Sequence, residues 1–317
     1  MHKIDREDIR IFSRHSHLKS TTIDTILKET IYHDKSAWKK FIKLFCLSLG
    51  VGFTTVGIMF FFAYNWDGLD KFVKIGIIEL LLISVTLFAV FFTPKSELKN
   101  ILMTSAVVLV GVLLAVFGQI YQTGANAYDF FLGWTLFVTL WVVIVNYSPL
   151  WLIYLVLIYT TFTLYADQMA HHWSEIFVLL MLFIINSLWL SIFLFGAKIS
   201  DYFKAPSWFT NVIALACTCF STVGIVMGIF DDFEVPFVVL TILTAILYVA
   251  GLWYGYRIRQ TFYLSVIPLS VIMIISALLV KISSDALMFI VVSLFVISSV
   301  TIVIKYLLHL QKKWNNE

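Results

Sequence analysis

Ten stretches of about 20 apolar residues, separated by short polar breaks, leave this chain few ways to fold. At 1.5 Å rise per residue, about 20 such residues cross the hydrocarbon core of a bilayer as one helix. The stretches run Ile42 to Tyr64, Phe72 to Thr93, Ile101 to Gln119, Phe130 to Asn146, Leu150 to Ala166, Ile176 to Gly196, Phe209 to Phe230, Pro236 to Tyr256, Thr261 to Val280 and Ala286 to Ile304. The least marked break is the fourth, where only Tyr147, Ser148 and Pro149 intervene. Composition agrees: 61% of the 317 residues are hydrophobic and 13% are charged, against about half and a quarter in a soluble domain. The expected fold is an all-α, polytopic integral membrane helical bundle of about ten transmembrane helices. A polar-surfaced soluble enzyme is excluded, and three cysteines cannot form a paired disulfide framework.

Charge sets the expected orientation. With both termini cytoplasmic, as an even span count requires, nineteen of the 22 lysines and arginines fall inside; only Lys71, Lys74 and Lys281 fall outside. Asp67, Asp70, Asp129, Asp167, Glu175, Asp231, Asp232, Glu234 and Asp285 make the opposite face acidic. The charge is thus arranged as membranes demand, not as a phosphate-binding surface, so no nucleic-acid partner is expected. The expected organisation is a cytoplasmic basic and helical region over residues 1–41, a transmembrane domain over 42–308 and a short cytoplasmic tail over 309–317. The bilayer itself is the first partner.

Polar residues in or beside the spans are the candidate sites. Asn65, Asp67 and Gly68 suit a tight external turn, since Asn and Asp bond their own backbone and Gly accepts positive φ. Seven residues beyond Phe72, or about 10 Å along a helix, Glu79 lies in apolar company, where a carboxyl must be neutral, paired or hydrated. Lys74 is badly placed on a helix to pair with it and can snorkel outward instead. Gln119, Gln122 and Asn126, three and four apart, would form one amide stripe beside Tyr121 if the third helix continued past the bilayer. On a continuing helix Asp167, His171 and Glu175 would likewise share a face, and with His172 they offer the N and O donors that suit zinc. Gly224 with Gly228 and Gly251 with Gly255 are small-xxx-small pairs, expected to serve packing within the bundle. Asn146 and Asn186 are expected to tie helices together, and Cys217 and Cys219 to point to different faces. No phosphate loop, zinc-helix motif or nucleophile elbow is present, so no cofactor and no catalytic residue are assigned.

The segments FFFAYNWDGLDKFVK and FGQIYQTGANAYDFFLGW, with Trp38-Lys39-Lys40-Phe41 ahead of them, resemble the domain of unknown function 2157 family of multi-pass bacterial membrane proteins. The resemblance covers roughly residues 20–146. It implies a bacterial inner-membrane location and a multi-component membrane assembly, and carries no activity with it.

The leading expectation is a binding or assembly component that receives a membrane or extracytoplasmic protein, or a small ligand, on its acidic outer face through Asn65, Asp67, Gln119, Tyr121, Gln122 and Asn126. The alternative is a secondary transporter of a small solute, proton-coupled through Glu79. A membrane enzyme built on Asp167, His171, His172 and Glu175 is a third, weaker reading.

Overall fold

The computed structural model of the chain describes residues 35–64, 68–91, 97–122, 124, 126–231, 233–282 and 285–316. Asn65, Asp67 and the basic region before Lys35 lie outside them. Among the described residues ten helices are long and apolar enough to cross a bilayer. They are α1 (Lys35–Tyr64), α2 (Lys71–Phe91), α3 (Glu97–Tyr121), α4 (Ala127–Val145), α5 (Ser148–Gln168), α6 (Glu175–Gly196), α7 (Ser207–Phe230), α8 (Val235–Ile258), α9 (Thr261–Ile282) and α10 (Ala286–Asn316). Helices are what the hydrocarbon permits, because each satisfies its own backbone groups. This is a multi-pass membrane protein. Its helices form two compact units, residues 1–124 and 125–317.

In the first unit α3 packs against α2 and α1. Ile78 of α2 meets Val112 and Val116 of α3 in an apolar cluster, and Thr55 of α1 bonds Ser105 of α3 at 2.7 Å in a buried position. Asp70 starts α2: its carboxylate accepts the Phe72 amide at 2.9 Å and its carbonyl accepts the Lys74 amide. That is the backbone role expected of an acidic turn residue. Lys74 does not extend outward as expected. It is buried, one helical turn before the fully buried Ile78 and therefore on the same packed face of α2.

In the second unit α7 is the hub, packed against α5, α6, α8 and α9. Its packed side sets a run of small residues beside the buried Phe209, Ile213, Ile225 and Ile229. Ala214, Cys217, Thr218, Ser221, Gly224 and Gly228 recur at helical spacing on its buried side, while Val212, Leu215, Val223 and Phe230 are exposed. A Cβ on Gly224 would lie 2.5 Å from Leu240 of α8 and 3.3 Å from Leu179 of α6, and one on Gly228 would collide with the Phe237 ring. Gly251 and Gly255 likewise let α8 approach Ile267 and Tyr263 of α9. Both glycine pairs therefore serve packing within the chain. Cys217 is buried and Cys219 exposed, so they face different ways.

The weakly marked break between the fourth and fifth spans is a real turn. Asn146 adopts φ 43°, ψ 55° at the end of α4, and Pro149 sits in the first turn of α5, where its missing N–H costs nothing. Asn146 holds this turn from two sides. Its amide donates to the Tyr202 carbonyl at 2.6 Å and its carbonyl accepts the Trp151 indole N–H at 3.0 Å. Tyr202, in the 3-10 turn Asp201–Phe203, donates its hydroxyl to the Val143 carbonyl at 2.6 Å. Burial raises the Tyr202 phenol above its ordinary range, so the fold favours the neutral, donating form. The contribution is complete below about pH 10 and fades as pH rises through the raised value. Tyr202→Phe is expected to lower stability by about 1 kcal/mol and to remove this alkaline dependence, as read by thermal unfolding in detergent across pH 8 to 11.

At the end of the chain, what was expected as a short tail is helical through Asn316. Trp314 accepts the Arg259 guanidinium at its carbonyl, 3.3 Å away, and lays its ring against Tyr256.

Candidate functional site

The polar residues singled out in the sequence behave in different ways. Glu79 sits on the exposed side of α2, next to the exposed Leu80 and one turn before Ile83. Gln119 and Tyr121 are exposed on the last turn of α3, but the helix stops at Tyr121. Gln122 turns to φ 43° and Gly124 to φ 64°, so the amide stripe does not form as expected. Asn126 instead precedes α4, where its backbone N–H donates to the Asp129 carboxylate at 3.1 Å. An acidic side chain three residues into a helix satisfies an orphan amide and complements the dipole, which accounts for both residues structurally.

Of Asp167, His171, His172 and Glu175, the structure brings Asp167, His171 and Glu175 together, though by a different route from the one expected. Helix α5 ends at Gln168, so no continuous helix carries the three-residue face. The chain reverses instead. Met169 and Ala170 direct their amides to the Tyr165 carbonyl, Trp173 bonds back to Ala170 at 2.8 Å, and Ser174 caps α6 by accepting the Phe177 amide. Trp173 stacks against Phe162 and packs on Tyr165 and Phe177, which pins the turn to the ends of both helices.

The reversal places Asp167, His171 and Glu175 around one open cleft of about 470 Å³, a size usual for small-molecule sites. Its walls follow helical spacing. Thr163 and Asp167 come from one face of α5, Glu175, Val178 and Leu182 from one face of α6, and Val223 and Met227 from α7. No lysine or arginine lines it. His172 turns to the other side of Trp173, where with Ser174 and Glu234 it lines a separate depression of about 330 Å³. Two adjacent histidines thus serve two different hollows, and the four residues are not a single ligand set. Among the described residues no three His, Cys, Asp or Glu side chains gather as a group that could hold a metal ion.

What the cleft offers chemically is two acceptor carboxylates and an imidazole above an apolar floor. Carboxylates accept hydrogen bonds and attract positive charge, and the walls of Val178, Leu182, Val223 and Met227 take up apolar groups. Sequence reasoning missed Thr163, Trp173 and Met227. The recurrences 163/167, 175/178/182 and 223/227 were legible, but which three helix ends meet is set by packing. Asn186 fulfils its expected role: fully buried, it accepts the Tyr159 hydroxyl of α5 at 2.6 Å and donates to the Leu182 carbonyl at 2.9 Å.

Residues 17–151 match a family described as predicted membrane protein (DUF2157), the family its two polar segments resemble. The match spans α1 to α4 and the first residues of α5, and so ends before the cleft. No curated protein and no solved structure matches the chain.

Proposed function

We propose that the chain, whose residues 17–151 match a family described as predicted membrane protein, is a binding component of a membrane assembly. It receives a partner or small ligand on its acidic, extracytoplasmic side. The observation that supports this most is the meeting of Asp167, His171 and Glu175 in one cleft with no lysine or arginine among its lining residues. Such a surface suits a positively charged group with an apolar portion: an amine-bearing small molecule, or a basic segment of another protein. The side is assigned by the lysine and arginine distribution, which puts the α5–α6 turn outside. No catalytic step is part of the reading. The transport alternative needs Glu79 inside a polar route, and its exposed position on α2 lends that route no support.

The test is purification of the tagged full chain from its native membrane in mild detergent, with mass spectrometry of whatever protein or small molecule accompanies it. The comparison is an Asp167→Asn, Glu175→Gln variant. The wild-type chain is expected to retain a ligand that the variant loses about tenfold or more, consistent with two charge-assisted contacts. A ligand retained equally by both, or a wild-type chain that carries nothing, overturns the reading.

A further inference from the structure

We propose that the second unit holds an anionic membrane lipid in a cavity at the opposite end of its bundle, with the acyl chain between helices and the phosphate at Lys198 and Arg257. The cavity lies among α6, α7, α8 and α9, is half enclosed and measures about 510 Å³. It is independent of the acidic cleft at the other helix ends.

Three features specify the occupant. First, the interior wants hydrocarbon. Leu190, Leu194, Leu247, Val266 and Ile267 line it, and several polar side chains among them are already engaged within the protein. Ser191 and Thr218 donate to their own helix carbonyls, at 2.7 and 2.9 Å, and the Tyr248 hydroxyl is taken up by Ser221 and Ser270. The hydroxyl protons of Ser191 and Thr218 and the Tyr248 hydroxyl are committed within the protein, so an aliphatic chain beside them orphans no donor; the Tyr263 hydroxyl of the same lining has no hydrogen-bond partner among the described residues.

Second, the mouth wants an anion. Lys198, just beyond α6, and Arg257, in the last turn of α8, are the two charged residues of the lining, and no carboxylate joins them. Each lies over an aromatic ring of the same lining: the Lys198 ammonium is 5.5 Å from the Phe195 centroid and the Arg257 guanidinium 5.1 Å from that of Trp253. A ring face holds a cation in place without neutralising it, so both remain available to a phosphate.

Third, access is lateral. Phe195 and Trp253 are each 61% exposed, so the outer wall of the cavity is itself bilayer-facing surface. A lipid can therefore slide in from the membrane with its headgroup held at the interfacial level, where Trp, Lys and Arg are favoured. Charge complementarity commits the site to an anionic phospholipid over a zwitterionic one.

The test uses the full chain, delipidated in detergent, titrated with phosphatidylglycerol or with phosphatidylcholine of the same acyl chains and read by native mass spectrometry. The expected result is one tightly held phosphatidylglycerol per chain, preferred about tenfold or more over phosphatidylcholine. Two interfacial cations suffice for that preference. Lys198→Gln with Arg257→Gln should bring the preference close to one. Ala250→Phe, which adds bulk to the lining, should weaken both lipids while leaving the preference intact. Because Lys198, Arg257 and Ala250 are exposed, these variants are expected to fold, and size-exclusion profiles check that. An unchanged preference in the charge variant, or inorganic phosphate displacing the lipid at millimolar concentration, overturns the proposal. So does a charge variant whose only change is lower thermal stability, because that places the two cations in helix-end electrostatics alone.

Discussion

Gly228→Leu is expected to destabilise the second unit by about 3 kcal/mol, because a side chain there has no space to occupy. The Phe237 ring of α8 already fills the position where the Cβ would stand, and a Cβ on the next glycine up the same face, Gly224, would lie 2.5 Å from Leu240. In a bilayer, where lipid tails are as apolar as leucine, helix association depends on close backbone approach and dispersion. Forcing α7 from α8 therefore removes most of what holds them. Gly133→Leu on α4 is the control, since nothing lies within 4 Å of its Cβ position. There the change replaces a poor helix former with a good one and should leave stability unchanged or raise it by up to about 1 kcal/mol. The measurement is thermal unfolding in detergent beside the molecular mass of the particle. A glycine pair used for dimerisation would instead show a halved mass with the unfolding temperature intact, and that result would refute the packing assignment.

The contrast between these two glycines marks what was legible in the sequence. Ten apolar runs broken by Asp, Asn, Gly and Pro gave the helices, because a break in hydrocarbon must place its backbone in water or in protein. Even the three-residue break at Tyr147 was readable, and Asn146 turning left-handed is why so short a connection suffices. The end of α3 was not readable, since Gln122 and Asn126 keep helical spacing while Gln122 leaves the helix at φ 43°. Which face of a span meets protein was hidden too. Large apolar residues occur on both sides of α7, with Phe209, Ile213, Ile225 and Ile229 buried and Val212, Leu215, Val223 and Phe230 exposed, so the recurrence of Ala, Cys, Ser, Thr and Gly is what marks its packed side. Serines and threonines added little. Thr139 donates to the Thr135 carbonyl of its own helix while also meeting the Tyr154 hydroxyl of α5, and the sequence displays only the residue type. The acidic cleft was half legible for a related reason: its residue types and spacings were visible, whereas the reversal at Met169 that makes them converge depends on Trp173 packing against two helices.

Asn186→Leu is expected to cost about 1 to 3 kcal/mol, the penalty of leaving a polar group without its partner in an apolar interior. Tyr159 donates its hydroxyl to the Asn186 carbonyl across the α5–α6 boundary, and Asn186 is fully buried, so no water replaces the lost acceptor. Tyr159→Phe removes the donor and should cost less, because the Asn186 amide keeps its bond to the Leu182 carbonyl one turn back. The two changes are expected not to add. Once the phenol is gone there is nothing left for leucine to orphan, so the double variant should be more stable than the sum of the singles by about 1 kcal/mol, within the span measured for hydrogen bonds between membrane helices. Thermal unfolding of the four proteins in one detergent measures the coupling. Strict additivity would mean that Asn186 acts through its shape alone. A coupling of the expected size would make this pair the link that fixes α5 against α6, and with it the mutual placement of Asp167 and Glu175 at the ends of those two helices.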